Sequence, residues 1–178
     1  MTLALDVPGV ACAPLDDEAA LQDLLERSAD AVVAMHHRPP RSDDARALLA
    51  AIPPGCTAED KHVLAVVDGD ELIGVVDVVR GYPEPRTYFV GLLLLAPSAR
   101  GRGLGERIMR ALAEAVRSAG GDRLELVVQD TNPGAVRFWT RLGFVPVVPA
   151  RGGDGERVLG RDLPLAQNAC SNRSTRAS

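Results

Sequence analysis

Apolar residues recur along this chain with two different periods, which divide it into helices and strands. They return every three or four positions over residues 18–35 and over residues 103–119, which is the spacing of one helix face. A shorter helix is expected to begin at Ser42 and to end before Pro53. A last helix is expected over residues 133–142, with Gly143 at its end. The pattern therefore predicts four helices.

Runs rich in Val, Leu and Ile predict strands at residues 62–67, 72–80, 88–95, 124–128, 144–149 and 157–163. Asp68-Gly69-Asp70 is typical of a tight hairpin turn between the first two strands. The third strand is apolar on both faces, which indicates a central position. The order of elements is α-α-β-β-β-α-β-α-β-β, so we expect an α+β fold around one mixed sheet.

Composition is that of a globular protein and excludes several classes of function. The chain has 178 residues, of which 46% are hydrophobic, and we expect one domain over residues 1–165 and a disordered tail over 166–178. A net charge of −4 argues against nucleic-acid binding. The longest apolar run, residues 89–97, is too short to cross a membrane. Residues 1–15 lack the pattern of a signal peptide, so a cytoplasmic location is expected.

Cysteine and lysine usage adds two smaller expectations. Cys12, Cys56 and Cys170 are odd in number and widely spaced, which predicts neither a disulfide framework nor a metal site. Lys61 is the only lysine, and this bias towards arginine hints at a GC-rich bacterial genome.

The most informative segment is the loop at residues 100–105, Arg-Gly-Arg-Gly-Leu-Gly, between a strand and a helix. The first amides of a helix have no partner within the helix and can bind an anion. Glycines let an anion approach the backbone, and the guanidinium groups of Arg100 and Arg102 suit phosphate oxygens. By itself the loop is either a phosphate site or a flexible turn with solvated arginines.

Two standard nucleotide loops do not fit this segment. A Walker A loop needs Gly-Lys-Ser or Gly-Lys-Thr at its end, whereas Gly105 is followed by Glu106 and Arg107. The dinucleotide fingerprint places its third glycine three positions after the second, whereas these glycines fall at every second residue.

Two motifs together resemble those of the GNAT superfamily of N-acyltransferases. The pattern Arg100-x-x-Gly103-x-Gly105 after an apolar strand is similar to the pyrophosphate loop of that family. One helix and one strand later, a second segment is similar to the family's other CoA-contacting segment. Its matching residues are Asn132, Ala135, Phe138 and Trp139. The resemblance covers residues 72–163.

The resemblance implies a central mixed, mostly antiparallel sheet flanked by helices. It also implies transfer of an acetyl group from acetyl-CoA to a primary amine of a small molecule or protein, by direct attack in a ternary complex. The implied acyl-CoA contacts are Leu93, Leu94 and Leu95 for the pantetheine arm, Arg100, Gly101, Arg102, Gly103, Leu104 and Gly105 for the pyrophosphate, and the second segment beside them. Pairing of the pantetheine with the strand needs a local splay or bulge. Asn132 would bind the pantetheine, cap the following helix, or do both.

The chain departs from the family pattern in its acid–base groups. The family often protonates the leaving thiolate with a Tyr where this chain has Trp139, and Trp is no acid at neutral pH. The family's frequent Glu on the central strand is absent from residues 88–95. The candidate replacements are Asp77, Glu84 and Tyr88. Asp77 lies between Val76 and Val78 and is expected to face solvent, and Tyr88 is equally consistent with a core position.

The sequence indicates less about the amine acceptor than about the acyl donor. His36, near the end of the first helix, and Tyr82, in the turn at residues 81–86, are expected on the acceptor side. The missing Tyr and Glu leave open a catalytically degenerate acyl-CoA-binding sensor or interaction module. A nucleotide enzyme is a further alternative. Thiol release with a panel of amines would separate an enzyme from a binding module. Edge strands of this fold often pair between copies, which leaves a homodimer open.

Overall fold

A seven-stranded sheet forms the centre of the computed structural model, which describes residues 3–147, 153 and 155–163. The strands are β1 (Ala11–Pro14), β2 (Lys61–Asp68), β3 (Glu71–Arg80), β4 (Thr87–Leu95), β5 (Arg123–Gln129), β6 (Val145–Pro146) and β7 (Glu156–Asp162). The helices are α1 (Glu18–Arg27), α2 (Ala29–His36), α3 (Asp44–Ala50), α4 (Leu104–Ser118) and α5 (Pro133–Arg141).

The sheet is mixed and mostly antiparallel, as predicted. Its strand order is β1-β2-β3-β4-β5-β7-β6. Strands β4 and β5 pair in parallel, and the other neighbouring pairs are antiparallel. Strands β4 and β5 lie at the centre of the sheet. They can be parallel because helix α4 carries the chain from the end of β4 back to the edge of the sheet where β4 began.

The structure of the N-terminal region differs from the sequence prediction at two points. The single helix expected over residues 18–35 is two helices, α1 and α2, separated by Ser28. Ser28 has φ −109° and ψ 29°, so its backbone leaves the helical conformation. The apolar spacing continues across this break, which hides it in the sequence. Strand β1 was not expected, because four residues without clear alternation give little strand signal.

Each face of the sheet carries its own hydrophobic core. One core packs residues of β3 and β4, including Val76, Val78 and Val90, against α4 and α5. The other packs Val75 and Leu92, on the opposite face, against α1, α2 and α3. The buried residues of β4 therefore change face between Val90 and Leu92.

A β-bulge at Gly91 causes this change of face. Asp77 on β3 pairs with Leu92, and the next residue, Val78, pairs with Val90, so Gly91 is an extra residue on β4. An extra residue shifts the alternation of side chains by one position and bends the strand. The apolar residues on both faces of β4 are thus explained by its central position in the sheet together with the bulge.

Three other sequence expectations concern residues that lie partly or wholly outside the described part of the chain. The strand expected over 144–149 is seen as β6, and residues 148–149 lie outside the described part. The tail at 166–178 also lies outside it, as does Cys170, whereas Cys12 and Cys56 are free thiols. Within the described residues, the longest apolar helical stretch falls short of what a membrane span requires.

Candidate active site

The glycine loop opens helix α4 with unpaired amides. Gly101 and Gly103 have φ values of +76° and +72°, in the left-handed region that favours glycine. The first donor within the helix is the Arg107 N–H, which bonds to the Gly103 carbonyl at 3.1 Å. The amides of residues 104–106 therefore precede the helical ladder and point out of its N-terminus. This arrangement suits an anion.

A cavity of about 500 Å3 lies beside this helix end. Its walls include the loop residues Arg100, Gly101, Gly103, Leu104 and Gly105 together with Leu93, Leu94 and Leu95 of β4. Phe138 and Arg141 of α5 complete the opposite wall. The Arg141 guanidinium lies 5.7 Å from the centre of the Phe138 ring. Sequence reasoning missed Arg141, although its spacing of three from Phe138 places both on one helix face.

Gly105 and Arg100 of the loop line the cavity and also make contacts that hold the loop in place. A Cβ on Gly105 would lie 3.3 Å from the Phe138 ring, so glycine here permits close packing of α4 against α5. The Arg100 guanidinium donates to the Leu95 carbonyl at 2.8 Å and pairs with Asp30 of α2. This pairing holds the pKa of Asp30 below its usual range. Arg102 is exposed at the loop, whereas the Arg100 guanidinium is held by these internal contacts.

The sheet opens between the two central strands beyond the bulge. Pairing of β4 with β5 runs from Thr87 and Arg123 to Val90 and Leu126 and then stops. The continuing residues of the two strands, with the start of α5, enclose a cavity of about 240 Å3. Its lining includes Leu93 and Leu94, which also line the cavity at the glycine loop. A splay or a bulge was expected, and both are present; the splay extends the cavity at the glycine loop into the sheet.

Asn132 and Trp139 lie where the splay meets α5. The Asn132 side chain caps that helix by accepting a hydrogen bond from the Ala135 amide at 3.0 Å, and both residues line the splay cavity. Trp139 also lines it. Its ring makes edge contacts with Phe138 and Phe144, at centroid distances of 4.8 and 5.3 Å. The geometry therefore fits a helix cap at Asn132 and aromatic packing at Trp139.

Asp77 does not face solvent, contrary to expectation. It is 7% exposed, and both carboxylate oxygens accept hydrogen bonds from the Lys61 ammonium, at 2.8 and 2.9 Å. Burial raises the pKa of Asp77, while the Lys61 charge opposes the rise. A Cβ on Gly91 would lie 2.7 Å from Asp77 Oδ2, so the carboxylate packs directly on the bulge. The face opposite Val76 and Val78 is covered by helices α1–α3, which the strand pattern alone does not reveal.

A third cavity, of about 280 Å3, holds this carboxylate and is called the acceptor chamber below. It lies under α1, α2 and α3, and His36 lines it as well. Met35, Gly91 and Leu92 line both the chamber and the splay cavity. The three cavities therefore adjoin one another in sequence, from the N-terminus of α4 through the splay to Asp77.

The other predicted acid–base and acceptor residues are not brought to this path. Tyr88 is 2% exposed in the core under α4, and its ring fills the space that a Cβ on Gly121 would need. Burial raises the pKa of Tyr88, but its position corrects the expectation of an acid at the site. Tyr82 packs edge-on against Phe89, with ring centroids 5.4 Å apart, and Glu84 is exposed in the turn before β4.

These features define a protein whose helix N-terminus is suited to an anion and opens on a cavity that continues into a splayed sheet. The family model described as the acetyltransferase (GNAT) family matches residues 20–144. The chain belongs to this family, whose members use acyl-CoA as the donor.

Relatives of known sequence match only part of the chain. Mycothiol acetyltransferase of Corynebacterium glutamicum (strain R) is 36% identical over 87 residues, which are 48% of this chain and 29% of that protein. The uncharacterized N-acetyltransferase YobR of Bacillus subtilis is 31% identical over 75 residues, which are 42% of this chain and 28% of that protein. The chain thus spans less than a third of the length of these curated relatives.

Solved structures match over nearly the whole chain. An acetyltransferase from Thermus thermophilus superposes with a TM-score of 0.72 at 27% identity, covering 92% of this chain and 100% of that one. The GNAT domain of S. lividans PAT superposes with a TM-score of 0.67 at 21% identity, covering 86% of this chain and 90% of that one, and supports the fold alone.

Proposed function

We propose that this protein is an N-acetyltransferase that moves an acetyl group from acetyl-CoA to a primary amine by direct attack in a ternary complex. The observation that carries the proposal is the buried Asp77 carboxylate against the Gly91 bulge, where the splay cavity meets the acceptor chamber. A donor entering from the glycine loop and an amine entering from the chamber would meet at this point.

The donor contacts follow from the backbone of the loop and of β4. The amides of residues 101–106 would hold the pyrophosphate, with Arg141 in the cavity wall and the exposed Arg102 adding positive charge. The main-chain groups of Leu93, Leu94 and Leu95 on the cavity side would pair with the pantetheine amides in the way that an added strand does. Asn132 would remain the cap of α5 at the edge of this path.

Asp77 suits the removal of the amine proton. The nucleophile must be a neutral amine, and a carboxylate whose pKa is raised by burial is a stronger base than an exposed one. The amine nitrogen would attack the thioester carbonyl, the C–S bond would break to release the CoA thiolate, and the amine proton would pass to Asp77. A backbone amide of the splayed strand would donate to the developing oxyanion.

The donor assignment can be tested with two matched glycine variants of α4. Gly103 and Gly120 flank the two ends of this helix, both have positive φ, and neither has an atom within 4 Å of an added Cβ. Gly103→Leu should raise the acetyl-CoA Kd strongly in calorimetry, whereas Gly120→Leu carries similar backbone strain and should leave it unchanged. Equal affinity in both variants would overturn the pyrophosphate assignment.

The chemistry can be tested by thiol release from acetyl-CoA with a panel of primary amines. Asp77→Asn should lower kcat by about 100-fold or more, in the range for loss of a general base, with little change in acetyl-CoA affinity. Retained acetyl-CoA binding without thiol release on any amine would favour a binding module over an enzyme.

A further inference from the structure

The acceptor chamber has mostly apolar walls. Leu25, Val32, Met35, Leu48 and Leu92 contribute aliphatic or thioether groups from all three helices and from β4. Its volume of about 280 Å3 equals that of about nine water molecules at roughly 30 Å3 each. Such a space accommodates about ten non-hydrogen atoms, the size of a compact amine.

The acidic groups of the chamber already have cationic partners. Asp44 accepts two hydrogen bonds from the Arg38 guanidinium, at 2.7 and 2.8 Å, and this pairing lowers the pKa of Asp44 to about 2. Asp77 is paired with Lys61 in the same bidentate way. Both carboxylates therefore already have a cationic partner, which leaves no unpaired charge to receive a second ionic group of the acceptor.

One acceptor class fits these walls, and we propose that the amine acceptor is a compact primary monoamine with an apolar alkyl or arylalkyl body and no other charged group. The inference rests on the proposed N-acetyltransferase function. The amine nitrogen would reach Asp77, whose carboxylate has lone-pair sites beyond the two that Lys61 occupies.

The same chamber disfavours other amines for physical reasons. Deep in the chamber, away from the exposed His36, a second ammonium or a carboxylate would be buried without a partner, and sugar hydroxyls would lose hydrogen bonds to water that aliphatic walls do not replace. Transfer into an apolar space also favours the neutral form of an amine, which is the nucleophilic form. The apolar walls would thus both select the substrate and favour the neutral, nucleophilic form of its amine.

The proposal is tested by comparing kcat/KM at saturating acetyl-CoA. 2-Phenylethylamine and n-butylamine should exceed putrescine, alanine and glucosamine by at least about tenfold. Faster acetylation of any of these three charged or polyhydroxylated amines would overturn the acceptor class while leaving the enzymatic function intact. If no amine is acetylated although acetyl-CoA binds, the proposed function fails and the acceptor class fails with it.

Two Ala→Leu variants on α3 test whether the acceptor binds in the chamber. Ala47 and Ala50 are both exposed on this helix, but Ala47 lines the chamber and Ala50 lines none of the three cavities described. Ala47→Leu should reduce kcat/KM for 2-phenylethylamine more than for ethylamine, with an unchanged Kd for acetyl-CoA. Ala50→Leu should affect neither. A reduction of equal size for both amines in Ala47→Leu would overturn the assignment of the chamber.

Discussion

Replacing Lys61 with methionine removes one partner of a buried ion pair and should strongly destabilise the fold. The Lys61 and Asp77 side chains are 6% and 10% exposed. Solvent therefore screens their interaction much less than it screens surface ion pairs, which contribute little to stability. Methionine fills a similar volume, and the main effect is therefore an unpaired carboxylate at the Gly91 bulge. Loss of one partner of such a pair costs about 3–5 kcal/mol.

The pH dependence of this loss has a definite sign. The pKa of Asp77 is raised in the folded state by burial, so its contribution to stability is full below the unfolded pKa of about 3.9 and is lost as pH rises through the folded value. Lys61→Met removes the interaction that opposes the rise, which moves the folded pKa higher. The stability difference between wild type and variant should therefore be largest near neutral pH and shrink on acidification, by at most about 1.4 kcal/mol per pH unit.

Urea unfolding at several pH values between 5 and 8 measures this difference, and a double variant controls for it. Lys61→Met with Asp77→Leu replaces the pair by apolar groups and should recover most of the stability, since such replacements are often neutral or stabilising. A loss below about 1 kcal/mol in the single variant, constant over this pH range, is what an exposed pair would give. That result would refute the argument from burial.

Three further predictions follow from single contacts. Gly91→Ala places a Cβ 2.7 Å from Asp77 Oδ2 and should lower kcat by roughly 10- to 100-fold, with unchanged acetyl-CoA affinity by calorimetry; an unaltered kcat would separate Asp77 from the chemistry. Ser28→Ala should leave the free energy of unfolding unchanged or raise it by about 1 kcal/mol, because the buried hydroxyl has no hydrogen-bond partner among the described residues; a clear loss in urea unfolding would contradict this. Arg100→Gln should raise the acetyl-CoA Kd by loosening the loop from Leu95 and Asp30, and a normal Kd would show that the loop holds its shape without them.

The sequence predicted the elements that carry strong local signals. The α4 pattern, the turn glycines and the Asn132 cap are encoded within a few residues of each other, so their prediction needs no tertiary information. The break at Ser28 was missed because a change in helix direction leaves the apolar spacing intact. The burial of Asp77 was missed because it depends on which helices cover the other face of β3, a property of the whole fold.

Residue pairing across the sheet explains the rest of what sequence reasoning missed at the site. The sequence offered Asp77 only as one of three candidates, beside Glu84 and Tyr88, and predicted that it faces solvent. Asp77 on β3 reaches the site because the bulge sets it beside Gly91, and Lys61 reaches Asp77 from β2. No spacing along the chain links positions 61, 77 and 91, since their proximity arises from strand register.

The bulge at Gly91 therefore joins three properties that would otherwise be independent. It moves the alternation of β4 by one residue, so that Leu92 and Leu94 face α1–α3 and Leu93 faces α4 and α5. It lies one residue beyond Val90, where pairing with β5 ends and the splay begins. It also gives Asp77 the space that a side chain would take. A larger residue at this position would disturb the carboxylate and the opening of the sheet together, which is why glycine there is a requirement of the site and not of the turn chemistry.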